Sequence, residues 1–261
     1  MSRKILWINP VGTDAFDLAI GKMLTEHSLP DTSIEVVSLS HGPHHVEYHF
    51  YGAMTLVDIL ARIATAEADG YHAAIIGCFY DPAVREAKEI TTKLVVTGLC
   101  EPTIKIASSL GDRFGIIVGR KKWIPKMQEN VFNYGFREKL ASFESVDMGV
   151  YDFGQDPEET YRRIKRAALT SIEQHLADVL ILACSAEASF TARLQDELSI
   201  PVLDSVRAPL KFAEMLVECS QKCGWQHSKR YDWESPPKAE IQQWDLTRGH
   251  GFPDAWPLTD K

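Results

Sequence analysis

The stretch Ala73-Ala74-Ile75-Ile76-Gly77-Cys78-Phe79-Tyr80-Asp81-Pro82 sets the fold. A short apolar run ends in a small residue, a cysteine and then an acid before proline. An apolar run this short, bounded by turn residues, reads as a strand buried on both faces, with a helix starting beyond it. The same grammar returns downstream in Leu180-Ile181-Leu182-Ala183-Cys184-Ser185-Ala186-Glu187: apolar strand, small residue, cysteine, and an acid three positions on.

Outward from these two junctions, strand-length apolar runs alternate with longer amphipathic segments. Strands are expected at Ile5–Ile8, Ile34–Val37, Ala73–Gly77, Leu94–Val96, Phe114–Val118, Phe143–Val146, Val179–Ala183 and Pro201–Leu203. Helical patterns lie between them, near 14–27, 52–68, 82–91, 101–110, 122–135, 157–176, 186–197 and 205–222. Continuous apolar strands separated by helices predict an α/β protein with parallel sheets, doubly wound in two halves. Ligands of such sheets bind beyond the carboxyl ends of the strands. The expected organisation is a first α/β domain of residues 1–98 plus 205–223, a second of residues 99–204, and a tail of residues 224–261. That tail, with Trp225, Trp233, Trp244 and Trp256, is expected to pack on the surface or on a partner subunit, as large aromatic side chains favour burial.

The 261 residues suit one large domain or two small ones. Apolar residues at 45% and charged residues at 25% exclude a disordered or collagen-like chain. A formal charge of −8 argues against nucleic acid as a partner. Bilayer spans need roughly 18 apolar residues, and no such run occurs, so no membrane role is expected. Met1-Ser2-Arg3-Lys4 leads directly into a short apolar run and a turn, which reads as a first strand rather than a secretion signal. The expected compartment is the cytoplasm, where thiols stay reduced. Cys78, Cys100, Cys184, Cys219 and Cys223 form no CxxC pair, so neither a zinc site nor any other metal site is expected.

Cys78 and Cys184 thus stand at equivalent strand ends, each expected just ahead of a helix, whose N-terminal partial charge favours a thiolate. Two such thiols on opposite sides of a crevice suit the inversion of a stereocentre. One, as thiolate, removes a proton from one face of a carbon, and the other, as thiol, delivers a proton to the other face. A free thiol titrates near 8.5, close enough to neutrality for both forms to be reached. Cys100, Cys219 and Cys223 read as packing residues. Asp81 before Pro82 reads as a helix N-cap with proline at the first helical position, and Glu187 as an acid favoured by a helix dipole.

These residues resemble the cofactor-independent aspartate/glutamate racemase superfamily, and within it the hydantoin racemases. The matching stretches are Ile8-Asn9-Pro10, Gly42-Pro43-His44-His45-Val46-Glu47, Gly77-Cys78-Phe79-Tyr80-Asp81-Pro82 and Val96-Thr97-Gly98-Leu99-Cys100-Glu101. The Cys184 junction and Ile200-Pro201-Val202-Leu203-Asp204 follow in the same order, and together they span about residues 4–220. The resemblance implies two α/β domains related by a pseudo-two-fold, with the active site in the cleft between them. It implies Cys78 and Cys184 as the acid/base pair, no cofactor and no metal, and a homo-oligomer acting on a small-molecule substrate. By position it implies substrate contacts from Asn9, Thr13, Phe79, Gly119, Arg120 and Ser185.

The chain departs from the family pattern in places. Asn9-Pro10 is followed by Val11-Gly12-Thr13 rather than a second Asn and a hydroxyl run, and Cys184 by Ser185-Ala186-Glu187 rather than a small residue and Gly. Gly119-Arg120-Lys121-Lys122 replaces hydroxyl residues after the fifth strand, and Arg120 there suits a bidentate grip on a carboxylate. The His41–His49 run, rich in histidine, matches the family's Gly-Pro loop and reads as loop and oligomer surface. The expected activity is racemisation of a 5-substituted hydantoin or related cyclic ureide. The alternatives are a racemase or cis-trans isomerase of an anionic amino acid or dicarboxylate, and a non-catalytic ligand-binding module.

Overall fold

In a computed structural model, which describes residues 2–253, the chain divides into two compact units. The first holds residues 1–77, 82–97 and 210–261; the second holds residues 78–81 and 98–209. Each unit is built on its own parallel sheet of four strands.

In the first unit the strands are β1 (Arg3–Asn9), β2 (Thr32–Ser38), β3 (Ala73–Ile76) and β4 (Val95–Thr97), in the order β2-β1-β3-β4. Helices α1 (Asp17–His27), α2 (His49–Ala68) and α3 (Val84–Ile90) connect them. Along β1, Leu6 and Ile8 join Ala74 and Ile76 of β3 in a core with Ile59 and Ile63 of α2 and Ala87 and Ile90 of α3. Ile5 and Trp7 point to the opposite face and are equally sealed. Both faces of the sheet are therefore covered, which is why its strands read as continuous apolar runs.

The second unit repeats this plan with β5 (Phe114–Val118), β6 (Leu140–Ser145), β7 (Val179–Leu182) and β8 (Val202–Asp204), in the order β6-β5-β7-β8. Helix α4 (Cys100–Leu110) packs on β5, β7 and β8; α5 (Ile124–Asn133), α6 (Pro157–His175) and α7 (Thr191–Leu198) complete the layer set. Asp156 caps α6, its carboxylate accepting the Glu159 N–H at 3.0 Å. Helix α8 (Arg207–Cys223) then carries the chain back to the first unit.

The tail packs on the first unit. The Val96 N–H donates to Nε2 of His227 at 2.9 Å, and Oγ of Ser235 donates to the Glu89 carbonyl at 2.7 Å. The Lys88 ammonium lies 4.6 Å from the Trp233 ring centroid, and Phe252 packs against the core around β1 and β3. Among the described residues of the tail, α9 (Lys238–Gln243) is the helical stretch. Trp225 and Trp244 are exposed, and Trp256 lies outside the described residues. No helix among the described residues is long and apolar enough to cross a membrane.

Candidate active site

In each sheet the chain winds one way from its first strand and the other way from its third, so the direction reverses between β1 and β3 and between β5 and β7. Ligands of doubly wound sheets bind at the carboxyl ends flanking such a reversal. Asn9 ends β1 and Gly77-Cys78 follows β3; Gly119-Arg120 follows β5 and Cys184-Ser185 follows β7. Six of the expected site residues (Cys78, Phe79, Gly119, Arg120, Cys184 and Ser185) belong to the second unit, and Asn9 and Thr13 to the first.

Within the first unit, Asn9 is buried and its side chain is oriented by two hydrogen bonds. Its Oδ1 accepts the Trp7 indole N–H at 2.7 Å, and its Nδ2 donates to Asp17 Oδ1 at 2.5 Å. Gly77 leaves room for this pair, since a Cβ there would fall 2.6 Å from Nε1 of Trp7. Thr13 turns its own loop, Oγ1 accepting the Ala15 N–H at 3.3 Å.

The loop Cys78–Asp81 departs from the helix-start geometry expected of it. Helix α3 begins only at Val84, because Asp81 (φ 48°) and Ala83 (φ 58°) adopt left-handed backbone on either side of Pro82. Asp81 does cap a helix, but a distant one. Its Oδ1 accepts the N–H groups of Leu99 and Cys100 at 2.7 and 2.9 Å, and its Oδ2 accepts that of Glu101 at 3.0 Å. These amides are the open N-terminus of α4, for which Leu99 supplies no side-chain cap. Tyr134, at the end of α5, donates its hydroxyl to Asp81 Oδ2 at 2.8 Å, and Asn130 Nδ2 donates to the Tyr80 carbonyl at 2.7 Å. Tyr134 and Asn130 hold the Cys78 loop, a role that the sequence did not reveal. They lie far from Cys78 along the chain, and no local pattern marks them.

Cys78 is half-buried, and Phe79 beside it is buried. Desolvation pushes the Cys78 thiol up to about 12, the Asp81 charge adding to it, while the Tyr80 N–H, 3.5 Å from Sγ, opposes. The helix that follows, α3, does not begin directly after Cys78, so its N-terminus is not placed against this thiol as the sequence led one to expect, and burial favours the protonated form. Burial likewise lifts the Asp81 carboxyl to about 6, against the stabilising bonds from Cys100, Glu101 and Tyr134.

Cys184 does precede a helical turn, the 3₁₀ segment Ser185–Phe190. It and Glu187 form a capping box: the Cys184 N–H donates to Glu187 Oε2 at 3.0 Å and the Glu187 N–H faces the Cys184 side chain, while the same Glu187 N–H makes a turn bond to the Cys184 carbonyl at 2.9 Å. Glu187 is wholly buried, and desolvation pushes its carboxyl up to about 8, with only the Cys184 amide opposing. Burial thus favours its protonated form, where the sequence reads an acid favoured by a helix dipole.

Gly119 is required by a close approach: a Cβ would fall 2.4 Å from the Met148 carbonyl and 2.4 Å from the Trp123 ring. Its carbonyl accepts from Met148 N at 3.1 Å and Ser145 Oγ at 2.9 Å, which fixes the turn bearing Arg120. Arg120 and Ser185 are half-buried. Cys100 is buried, its thiol held well above the ordinary range by desolvation, and Cys223 is exposed. In the histidine-rich loop, His41 pairs with Asp58 at 3.5 Å and the His45 ring meets Tyr51 edge-on. Among the described residues no group of three or more His, Cys, Asp or Glu side chains could hold a metal ion.

Residues 5–213 match the profile of the Asp/Glu/hydantoin racemase family. The chain belongs to this family and, with it, to the racemase class of isomerases. It is 31% identical over 237 residues to a hydantoin racemase of Pseudomonas sp. (strain NS671), covering 91% of this chain and 93% of the relative. It is 29% identical over 238 residues to the hydantoin racemase of Paenarthrobacter aurescens, covering 91% of this chain and 99% of the relative. Among solved structures, the allantoin racemase from Klebsiella pneumoniae has a similar fold, with a TM-score of 0.82 at 23% identity, covering 100% of this chain and 97% of that one.

Proposed function

We propose that this racemase inverts the ring carbon of a 5-substituted hydantoin or related cyclic ureide, with Cys78 and Cys184 as its acid/base pair and no cofactor. The observation that carries the proposal is the repeated junction: a cysteine after the third strand of each sheet, beside the winding reversal. Similarity to the two hydantoin racemases supports the substrate class. A ring carbon next to a carbonyl loses its proton to give an enolate, which N–H donors at strand ends can stabilise. The resting thiol of Cys78 suits the acid role. Cys184 as thiolate then takes the ring proton, and Cys78 returns one to the opposite face, leaving Cys78 as thiolate and Cys184 as thiol. The reverse reaction exchanges the two roles.

Asn9, Thr13, Phe79, Gly119, Arg120 and Ser185 would hold the substrate. The reading includes a cytoplasmic homo-oligomer, for which the exposed Phe50, Met54 and Val57 along one side of α2 offer an apolar face. Arg120-Lys121-Lys122 favours a second reading, in which the substrate is an anionic acid. In a cis-trans isomerase of that kind, one cysteine would bond covalently to the substrate.

The test follows the optical rotation of an enantiopure 5-alkyl hydantoin with purified protein and no cofactor. Rotation should fall to zero, and Cys78→Ser and Cys184→Ser should each abolish the loss. In D2O each variant should exchange the ring hydrogen of the opposite enantiomer. Near wild-type racemisation by either variant refutes the pair. A cysteine adduct without deuterium entering the substrate would favour the covalent alternative.

A further inference from the structure

Glu187 is a buried acid with no part in the chemistry proposed above. We propose that Glu187 is a positioning residue for Cys184, fixing that cysteine from its buried side, and that the charge on its carboxyl controls how readily the thiol ionises. This rests on the reading of Cys184 as an acid/base.

Three bonds connect the two residues. The Cys184 N–H donates to the Glu187 carboxyl and the Glu187 N–H faces the Cys184 side chain, the two halves of the capping box, and the Glu187 N–H also bonds the Cys184 carbonyl. The amide, carbonyl and sulfur of Cys184 are therefore all engaged by one residue. Glu187 has no exposed surface, and its Oε1 has no partner among the described residues. An anion left dry in this way is strongly disfavoured, whereas a neutral carboxyl is tolerable.

The surroundings offer no compensating charge. The 3₁₀ turn packs chiefly on β7, β8 and α7, with Tyr161 of α6 against Phe190 and Arg207 of α8 on the Ala188 carbonyl. β7 is wholly apolar. On β8 the charged group is Asp204, bonded to Arg207 Nε at 2.6 Å. Arg207 also donates Nη2 to the Ala188 carbonyl at 3.3 Å, and its charge is paired with Asp204. On α7, Arg193 pairs with Glu158 and Glu197, and Asp196 is exposed. A proton on Glu187 thus keeps the ground beside Cys184 neutral. Losing it, as the shift to about 8 allows, puts an unscreened negative charge next to the sulfur and opposes the thiolate.

The experiment measures iodoacetamide alkylation of Cys184 by peptide mass spectrometry from pH 6 to 10, on wild type and Glu187→Gln, with folding followed by circular dichroism. Glutamine keeps the acceptor oxygen and the shape and removes the charge. A unit charge a few ångströms away at an effective dielectric of about 20 shifts a thiol by more than about one pH unit. The alkylation midpoint of Glu187→Gln should therefore lie lower than wild type by about one unit or more. Equal midpoints in two folded proteins would overturn the proposal. If the variant does not fold, the wild-type curve decides: it should rise in two steps, and a single-step curve overturns the proposal. No substrate is used, so failure to racemise a hydantoin would defeat the substrate reading alone, and an unshifted midpoint in an active racemase would defeat this one alone.

Discussion

Replacing Tyr134 by phenylalanine isolates the clamp on the Cys78 loop. The substitution leaves the ring in place and deletes one hydroxyl, whose bond to Asp81 Oδ2 is 2.8 Å long. Burial and the nearby Asp81 charge hold the Tyr134 phenol far above its ordinary range, so it donates throughout any usable pH. The size of the loss depends on Asp81. A hydrogen bond to a charged acceptor contributes about 1.5–3 kcal/mol, and one to a neutral acceptor about 0.5–1.5 kcal/mol. Asp81 titrates at about 6 in the folded chain, above its ordinary 3.8. Its contribution to stability is thus complete below about 3.8 and is lost as pH rises through about 6. Removing the tyrosine donor raises that folded value further, so the penalty falls where the carboxylate is ionised. Tyr134→Phe should therefore cost about 1.5–3 kcal/mol at pH 8 and clearly less at pH 5. Urea denaturation at the two pH values measures this, and alkylation of Cys78 at pH 8 should quicken as its loop loosens. An equal cost at both pH values, or none at pH 8, would refute the charge-assisted clamp.

Gly119→Ala should destabilise by about 1–3 kcal/mol or more, because its Cβ meets the Met148 carbonyl rather than a yielding side chain; thermal melting is the measurement. Arg120→Ala should lower kcat/KM for a carboxylate-bearing substrate about tenfold to a hundredfold relative to a neutral one, the value of one charge-assisted contact. Equal effects on both substrates would remove Arg120 from recognition. Cys100→Ser, Cys219→Ser and Cys223→Ser should retain racemisation, and loss of turnover in any folded variant would add that cysteine to the site. Activity should survive dialysis against a chelator and disappear on thiol alkylation; inhibition reversed by added metal would contradict the cofactor-free chemistry.

The sheets were legible in the sequence because both their faces are buried. Ile5–Ile8, Ala73–Ile76, Phe114–Val118 and Val179–Leu182 are apolar throughout, and no turn chemistry competes with them. The edge strand β6 was less legible: it starts at Leu140, ahead of the expected Phe143, because its half-buried residues include Ser142 and Glu144. A cap adjacent to its helix, as at Asp156, is a local matter, whereas an acceptor that comes from elsewhere leaves no local signal. Asp81-Pro82-Ala83 has the composition of an N-cap, yet the left-handed backbone at Asp81 and Ala83 turns the carboxylate onto α4. The positions of the cysteines at the strand ends were readable, whereas their electrostatics depend on desolvation, which follows from packing between distant segments.

The bond from Val96 to His227 has a consequence for the edge of the first sheet. β4 has one strand neighbour, so its outward main-chain groups form an open rim on which another molecule's strand could be laid. The imidazole of His227 occupies the Val96 N–H there, and Lys229 and Ser235 hold the same tail to the carbonyl of Glu89 close by. The segment after Cys223 thus acts as a guard on that rim. A chain shortened to end there would leave the Val96 N–H on that edge without its imidazole partner.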